Sequence, residues 1–179
     1  LITATRNSMS TLPETLASLE PFRGRVKTIF VEGGSSDGTA EYVDAYVAEN
    51  ANAELLHQFG TGLYQALNQG VLAAFADPDV THIGMLHSDD ELLVEPFDRY
   101  LELIESDPAA LFYSGVEFHN CTRERVRVWD VDDYSRFKLH TGWMPPHSTV
   151  VVSKPVYRKY GLYNEQFGTA ADYEWLVRV

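Results

Sequence analysis

The chain has 179 residues, 45% of them hydrophobic and 12% aromatic, which is enough to bury a core within one compact domain. Its 26 acidic against 14 basic residues leave a net charge of −12, which argues against a nucleic-acid backbone or an anionic membrane surface as the main partner and obliges any polyanionic substrate to find a local cation. The single cysteine, Cys121, excludes an internal disulfide framework and a thiolate zinc cluster, and points to a reducing, cytoplasmic setting.

In chain order, an apolar strand over residues 1–5 precedes a helix around 11–19, and a strand over 26–31 precedes a helix around 37–48. A strand over 53–57 then leads to a helix whose Leu63, Ala66, Leu67, Gly70, Val71 and Ala74 recur at spacings of three and four as one buried stripe. A fourth strand over 81–86 precedes a helix over 94–106 that turns Phe97, Leu101 and Ile104 inward and Glu95, Asp98, Glu102 and Glu105 outward. This repeated βαβ order predicts an α/β fold, a mostly parallel sheet flanked by helices on both faces. After Pro108 the pattern changes: 111–119 and 126–131 read as two longer antiparallel strands joined through 120–125, and 132–146 has no clear period. A short strand at 150–152, a helix at 154–160 and a turn at Gly161 lead to a helix in mid-course at 175–179, so both ends read as cut. No apolar run approaches the roughly 20 residues that span a bilayer and no signal-peptide pattern stands at the start, which leaves peripheral membrane association open.

In an open α/β sheet, ligands bind beyond the carboxyl ends of the strands. Three groups follow strands here, at 32–39, 58–64 and 87–90, and are expected to converge on one rim. In "FVEGGSSDGT", Gly33 and Gly34 permit a tight turn or a close ligand, while Ser35, Ser36 and Asp37 can cap the next helix. A plain capped turn has the same composition, and on this segment alone that reading is favoured; the lysine and spacing of a P-loop are missing, as is a three-glycine dinucleotide pattern. "MLHSDDELL" is sharper, because it sets the carboxylates of Asp89 and Asp90 at the end of an apolar strand, where they suit magnesium or manganese with open positions for phosphates. A solvated turn with Asp90 as helix cap fits the position equally well.

Four blocks in order decide between these readings. "LITATRNSMSTLPETLASL", "FVEGGSSDGT", the pair "GTGLYQALNQGVLAAF" with "MLHSDDELL", and "MPPHSTVVVSKPVYRKYGLYNEQFGTAADYEWLVRV" together resemble a nucleotide-sugar glycosyltransferase of family 2 over essentially residues 1–179. The resemblance implies a GT-A-type, Rossmann-like, mostly parallel sheet flanked by helices, with an antiparallel acceptor-side portion. It implies one domain, 1–179, with a nucleotide-sugar-binding half at 1–107 and an acceptor-side half at 108–179. By position, Thr3, Thr5, Arg6 and Asn7 match the loop that lines the nucleotide pocket, and Glu32 stands where the family usually has an aspartate contacting base or ribose. Ser35 and Asp37 match that turn, with Asp37 expected to act mainly as a structural cap. Asp90 matches the metal-binding aspartate, Asp89 its neighbour on the ribose or the metal, and His147 a family histidine facing the same pocket, for which metal, phosphate, acceptor or a core hydrogen bond all remain open. Asp172 matches the carboxylate that takes the proton from the acceptor hydroxyl in inverting members, although an ordinary helix cap has the same pattern. Tyr64 and Asn68 fit the third block, with a donor-site role or helix-surface packing both open. The aromatics Trp143, Tyr163, Phe167, Tyr173 and Trp175 suit sugar faces but more commonly serve as core.

The activity implied is metal-dependent, inverting transfer from a nucleotide sugar, first of all a uridine diphosphate sugar, to a glycan or lipid-linked acceptor, with Mn2+ or Mg2+ as cofactor. The setting implied is bacterial surface polysaccharide synthesis, cytoplasmic or at the inner face of the membrane. Of four departures, Glu32, Gly60, Gln65 and His87, the last three favour an alternative, a non-catalytic sugar-nucleotide or glycan-binding relative; retention of Asp90 and Asp172 opposes it. A nucleotidyltransferase is disfavoured because "TATRNSMST" lacks a basic, glycine-rich triphosphate loop.

Overall fold

Strands β1 (Ile2–Thr5), β2 (Thr28–Glu32) and β3 (Ala53–His57) pair in parallel, with β2 in the middle and buried along its whole length. The computed structural model describes residues 1–107, 111–131 and 133–179. Helices α1 (Leu12–Leu19), α2 (Thr39–Ala48) and α3 (Leu63–Ala76) follow these strands in turn, as their apolar spacing predicts. Side chains alternate across β2, so Ile29 and Val31 pack with Ile2 against Ala66, Leu67, Val71 and Ala74 of α3, whereas Phe30 packs on the other face against Leu12, Leu16 and Leu19 of α1 and Val43 of α2. Each such burial contributes about 1.5–3 kcal/mol, and this two-sided layering is what holds the carboxyl ends of the strands still. Leu63 departs from the predicted stripe: at the first turn of α3 it is 45% exposed.

The fourth strand is shorter than 81–86 because the segment changes partner midway. β4 (His82–Gly84) pairs antiparallel with a late strand, β8 (Val151–Ser153), while Met85 bridges Ile2 in parallel and the Leu86 N–H donates to the Ile2 carbonyl at 3.0 Å. β5 (Leu111–Phe112) adds to the other side of β8, also antiparallel. The sheet therefore runs β3-β2-β1-β4-β8-β5, parallel on the first side and antiparallel on the second. Helix α4 (Val94–Ser106) keeps Phe97, Leu101 and Ile104 half-buried, with Phe97 edge-on to Phe22 at 4.8 Å between centroids.

The predicted strand over 111–119 splits in two. After β5, the Ser114 N–H and carbonyl are both taken by the Thr149 hydroxyl, at 3.1 and 2.8 Å, which removes them from any ladder. The chain resumes as β6 (Val116–His119), antiparallel to β7 (Arg125–Trp129) in a separate two-stranded ribbon. A short helix, α5 (Arg136–His140), occupies part of the stretch expected to lack a period; the Ser135 hydroxyl caps it by accepting from the Lys138 N–H. The expected boundary at Pro108, and Asp132, lie outside the described residues. α6 (Lys154–Tyr160) and α7 (Ala171–Arg178) complete the fold, joined by a 3-10 turn, Glu165–Ala170, that is kinked at Gly168. Among the described residues, no helix is long and apolar enough to cross a membrane.

Candidate active site

The loops after β1, β2 and the β4 segment are tied to one another by hydrogen bonds. The Asn7 N–H donates to Ser35 Oγ at 2.9 Å, and Asn7 Oδ1 accepts from the Ser36 N–H at 2.9 Å. The Ser8 N–H donates to Thr39 Oγ1 at 2.8 Å, and the Met9 N–H donates to Asp37 Oδ2 at 3.0 Å. On the third side, Ser8 Oγ lies 2.9 Å from Ser88 Oγ, and Thr11 Oγ1 donates to the Ser88 carbonyl at 2.8 Å. Asn7 adopts a left-handed φ of 52°, a conformation asparagine tolerates better than most residues. The rim thus joins two of the three expected groups, 32–39 and 87–90, through the loop after β1, mainly by small hydroxyl and amide side chains, whereas 61–64 line a separate cleft.

Within this rim Thr3 and Thr5 are buried in β1, and their hydroxyls have no hydrogen-bond partner among the described residues; Arg6 and Asn7 are exposed at its edge. Glu32 is buried, with its two oxygens accepting from the Gly34 and Ser35 N–H groups at 2.8 and 2.6 Å. Burial opposes its ionisation, but the hydrogen bonds from Ser35 and Gly34 and the nearby His57 outweigh it and hold the carboxyl below its usual range. Gly33 sits tightly: an added Cβ would lie 2.9 Å from Gln58 Oε1 and 3.3 Å from the Thr5 carbonyl, so a side chain there would displace the end of Gln58. Asp37 is a clamp: besides Met9 it accepts from the Thr39 hydroxyl at 2.6 Å and the Thr39 N–H at 3.1 Å, and the Thr39 hydroxyl does most to hold its carboxyl low.

Asp89 is exposed and Asp90 half-buried at the end of the β4 segment. Burial raises Asp90 above the usual carboxylate range and the Asp89 charge adds to this, against opposing contributions from His87 and a hydrogen bond with Ser148. The His87 ring stands 5.9 Å from that of His147. Burial and the proximity of His87 lower His147 to about 4, with Asp172 acting in the opposite sense. Asp172 lies on the first turn of α7, where its Oδ1 accepts from the Tyr173 N–H at 2.8 Å, and it faces Tyr64 from α3. Asp90, His87, His147, Asp172 and Tyr64 thus form one array.

Among the described residues no group of three or more histidine, cysteine, aspartate or glutamate side chains would hold a metal on protein ligands alone. Asp90, half-buried with the Asp89 carboxylate beside it, is an oxygen ligand of the kind a hard cation takes when phosphate oxygens and water complete its shell.

Asn68 lies deeper than this rim: it is buried and bonded to Tyr163 at both ends of its amide. The two departures at Gly60 and Gln65 are in contact, since a Cβ at 60 would lie 3.2 Å from Gln65 Cδ, and Gln65 Oε1 accepts from Gln58 Nε2 at 2.8 Å. Beside them opens a cleft of about 450 Å³, lined by Thr61, Leu63, Tyr64 and Gln65 from α3 and its approach, and by Glu165 and Thr169 from the kinked turn. Phe167 is half-exposed in that turn, whereas Trp175 and Tyr163 are core. Residue-by-residue reading of the sequence passes over Ser8, Ser88 and Ser148, although Ser88 and Ser148 sit beside Asp89 and His147 in the chain.

An α/β sheet that turns from parallel to antiparallel at its fourth strand, with helices following the parallel strands, is the arrangement of a GT-A-type fold. The chain belongs to glycosyl transferase family 2, whose family model (Glycosyl transferase family 2) matches residues 1–160. An uncharacterized glycosyltransferase of Mycobacterium tuberculosis, Rv1514c, is 28% identical over 187 residues, covering 99% of this chain and 67% of the relative. EpsJ of Bacillus subtilis, also an uncharacterized glycosyltransferase, is 29% identical over 116 residues, covering 65% of this chain and 30% of that protein. Among solved structures, S. aureus TarS 1-349 in complex with UDP superposes with a TM-score of 0.69 at 16% identity, over 97% of this chain and 52% of TarS. Mannosyltransferase PcManGT from Pyrobaculum calidifontis, in complex with GDP-Man and Mn2+, gives 0.63 at 14%, over 97% of this chain and 49% of the other. The chain thus spans about half the length of these solved chains, and at such identities the likeness concerns the fold.

Proposed function

We propose that this chain carries the transfer centre of an inverting enzyme that moves a sugar from a nucleoside diphosphate sugar, a uridine diphosphate sugar in the first instance, to a hydroxyl of a glycan or lipid-linked acceptor. The observation that carries this reading is the array that runs from Asp90 through the rings of His87 and His147, 5.9 Å apart between centroids, to Asp172, with its two carboxylates from opposite halves of the chain. The uridine assignment draws on TarS, which binds UDP and UDP-GlcNAc, and the PcManGT complex makes guanosine the first alternative.

Residues 1–107 form the donor half. The buried Thr3 and Thr5 hydroxyls and the Glu32 carboxylate offer polar contacts to the nucleoside, Ser35 and Asp37 hold that wall in place, and Arg6 supplies the exposed cation an acidic protein needs for a diphosphate. Asp90, with Asp89 beside it, would hold Mn2+ or Mg2+. When bound, that ion neutralises the diphosphate and stabilises it as a leaving group. Residues 108–179 supply the acceptor half, and the cleft between 61–65 and 165–169 is lined by Tyr64, which in turn meets Asp172. Asp172 takes the proton of the acceptor hydroxyl as its oxygen bonds to the anomeric carbon. The bond from that carbon to the phosphate oxygen breaks, and its electron pair leaves with the diphosphate. A single displacement, with attack from the face opposite the departing diphosphate, gives inversion.

The setting proposed for this activity is surface polysaccharide synthesis at the cytoplasmic face of the membrane, as the resemblance to family 2 implies. Gly60, Gln65 and His87 favour a second reading, a donor-binding relative without transfer. Calorimetry of uridine diphosphate with and without manganese, on the protein and on Asp90→Ala, tests the donor site. Manganese-dependent binding that is lost in the variant is the expected result. Failure of uridine, guanosine and thymidine diphosphates alike would sink the donor assignment, and tight binding without any turnover across acceptors would favour the second reading.

A further inference from the structure

Tyr163 is engaged on every side. Its backbone N–H donates to Asn68 Oδ1 at 2.9 Å and its carbonyl accepts from Asn68 Nδ2 at 2.9 Å, while the same amide reaches Glu165 Oε1 at 3.2 Å. Its ring packs against Tyr64 and Trp175, with centroids at 5.4 and 5.6 Å. Its hydroxyl lies 3.0 Å from His147 Nε2 and 3.1 Å from the Tyr157 hydroxyl. A buried side-chain amide of α3 thus fixes a backbone whose own side chain fixes the histidine of the site.

Counting protons gives this chain of hydrogen bonds a direction. Tyr157 and Tyr163 are both buried, and desolvation keeps both hydroxyls protonated far above the usual phenol range. The Tyr157 hydroxyl has the Tyr163 oxygen as its acceptor, so Tyr157 donates to Tyr163, and the Tyr163 proton is left for His147 Nε2. In the reverse order Tyr163 would donate to Tyr157, whose own buried proton would then have no acceptor among the described residues, at a cost of about 1–3 kcal/mol. An imidazole that accepts at Nε2, and that burial keeps neutral, carries its one proton on Nδ1.

We propose that Tyr163, clamped by Asn68, is a positioning residue that holds His147 as its Nδ1–H tautomer, making it a hydrogen-bond donor on its side away from Tyr163, within the array it shares with His87 and Asp172. The assignment of that array as a transfer centre rests on the function proposed above; the tautomer does not. With its Nε2 lone pair occupied by Tyr163, His147 is neither a cation ligand through that nitrogen nor a base for the acceptor, and suits instead an anionic oxygen, from a phosphate or from Asp172. Of the roles open to it from sequence, the donor roles are the ones retained.

Nitrogen-15 spectra of histidine-labelled protein without ligand test this, with His147 assigned by its loss in His147→Gln. The wild type is expected to show a protonated Nδ1 and a bare Nε2. Tyr163→Phe, which keeps the ring, is expected to move the proton wholly or partly to Nε2. Tyr157→Phe disturbs the same packing but leaves Tyr163 its acceptor, and is expected to keep the wild-type tautomer. An Nε2–H ring in the wild type, or an unchanged tautomer in Tyr163→Phe, would overturn the assignment. In turnover with a donor that binds, Tyr163→Phe is expected to lower kcat about tenfold, the loss of one hydrogen bond of the site, with donor KM within about twofold. Absence of any transfer, with the tautomers as described, would remove the proposed function and leave the positioning role standing.

Discussion

Tyr64, on the first turn of α3, meets Asp172, on the first turn of α7, and burial together with the Asp172 charge pushes the Tyr64 hydroxyl up to about 12. The tyrosine is therefore a neutral hydrogen-bond donor to a carboxylate at any physiological pH. A hydrogen bond to a charged group is worth about 1.5–3 kcal/mol, and about 1.4 kcal/mol is tenfold in rate. Tyr64→Phe retains the ring that packs on Tyr163, so kcat is expected to fall about tenfold or more with the unfolding midpoint nearly unchanged. Steady-state kinetics beside thermal unfolding checks both expectations.

Asp172→Asn separates chemistry from binding. The amide oxygen can still accept from the Tyr173 N–H, so the start of α7 should keep its shape. A positioned base contributes about 10²–10⁴ in rate, and a loss of that order is expected, with donor binding by calorimetry altered by less than about twofold. Near-normal turnover would mean that another group takes the acceptor proton.

The elements of the first half are local facts of the sequence: β2 is a short, almost unbroken apolar run, and α3 repeats its small and apolar residues every three or four positions, so both can be found without knowing their neighbours. The array that links Asp90 to Asp172 through His87 and His147 is not local, and within the sequence only the ordered blocks shared with a family bring the two together. The remainder depends on partners far along the chain. β5 and β6 separate because Thr149 occupies the backbone of Ser114, and Tyr163 reads as one more core aromatic until its backbone is found in the grip of Asn68, 95 residues earlier. Departures such as Gly60 and Gln65 read as two losses in sequence, yet in the fold they are one contact, with glycine making room for the glutamine.

Glu32 should leave a mark on acid stability. Its folded pKa is depressed, so its contribution is present above the ordinary glutamate value, about 4, and is lost as pH falls through the lowered value. Glu32→Gln can accept only one of the two N–H bonds from Gly34 and Ser35 and carries no charge. The variant is expected to be less stable than the wild type at neutral pH by about 1–2 kcal/mol, with the gap closing as pH is lowered below about 4. Urea midpoints measured across that range give the result directly; a gap independent of pH would mean that the carboxylate charge plays no part.

Gly70 sets two effects against each other. Alanine is favoured over glycine in a helix by about 1 kcal/mol, so Gly70→Ala within α3 would stabilise an isolated helix. In the folded protein the new Cβ would lie 2.5 Å from Ile2 Cγ2 and 3.1 Å from Ile2 Cγ1, on the buried strand β1, where overpacking costs about 1–3 kcal/mol. The contact is with a side chain wedged between α3 and the sheet, which has no free end to swing away, so the clash wins and net destabilisation of about 1–2 kcal/mol is expected. Ile2→Val shortens this side chain and on its own costs about 0.5–1.5 kcal/mol. Ile2→Ala removes the colliding atoms altogether, and the double variant with Gly70→Ala should then be more stable than the sum of the two single losses allows, because the added methyl refills part of the space. A strictly additive double-mutant cycle, read from denaturant midpoints, would show that α3 moves away from β1 instead, and the loops that close the donor rim would move with it.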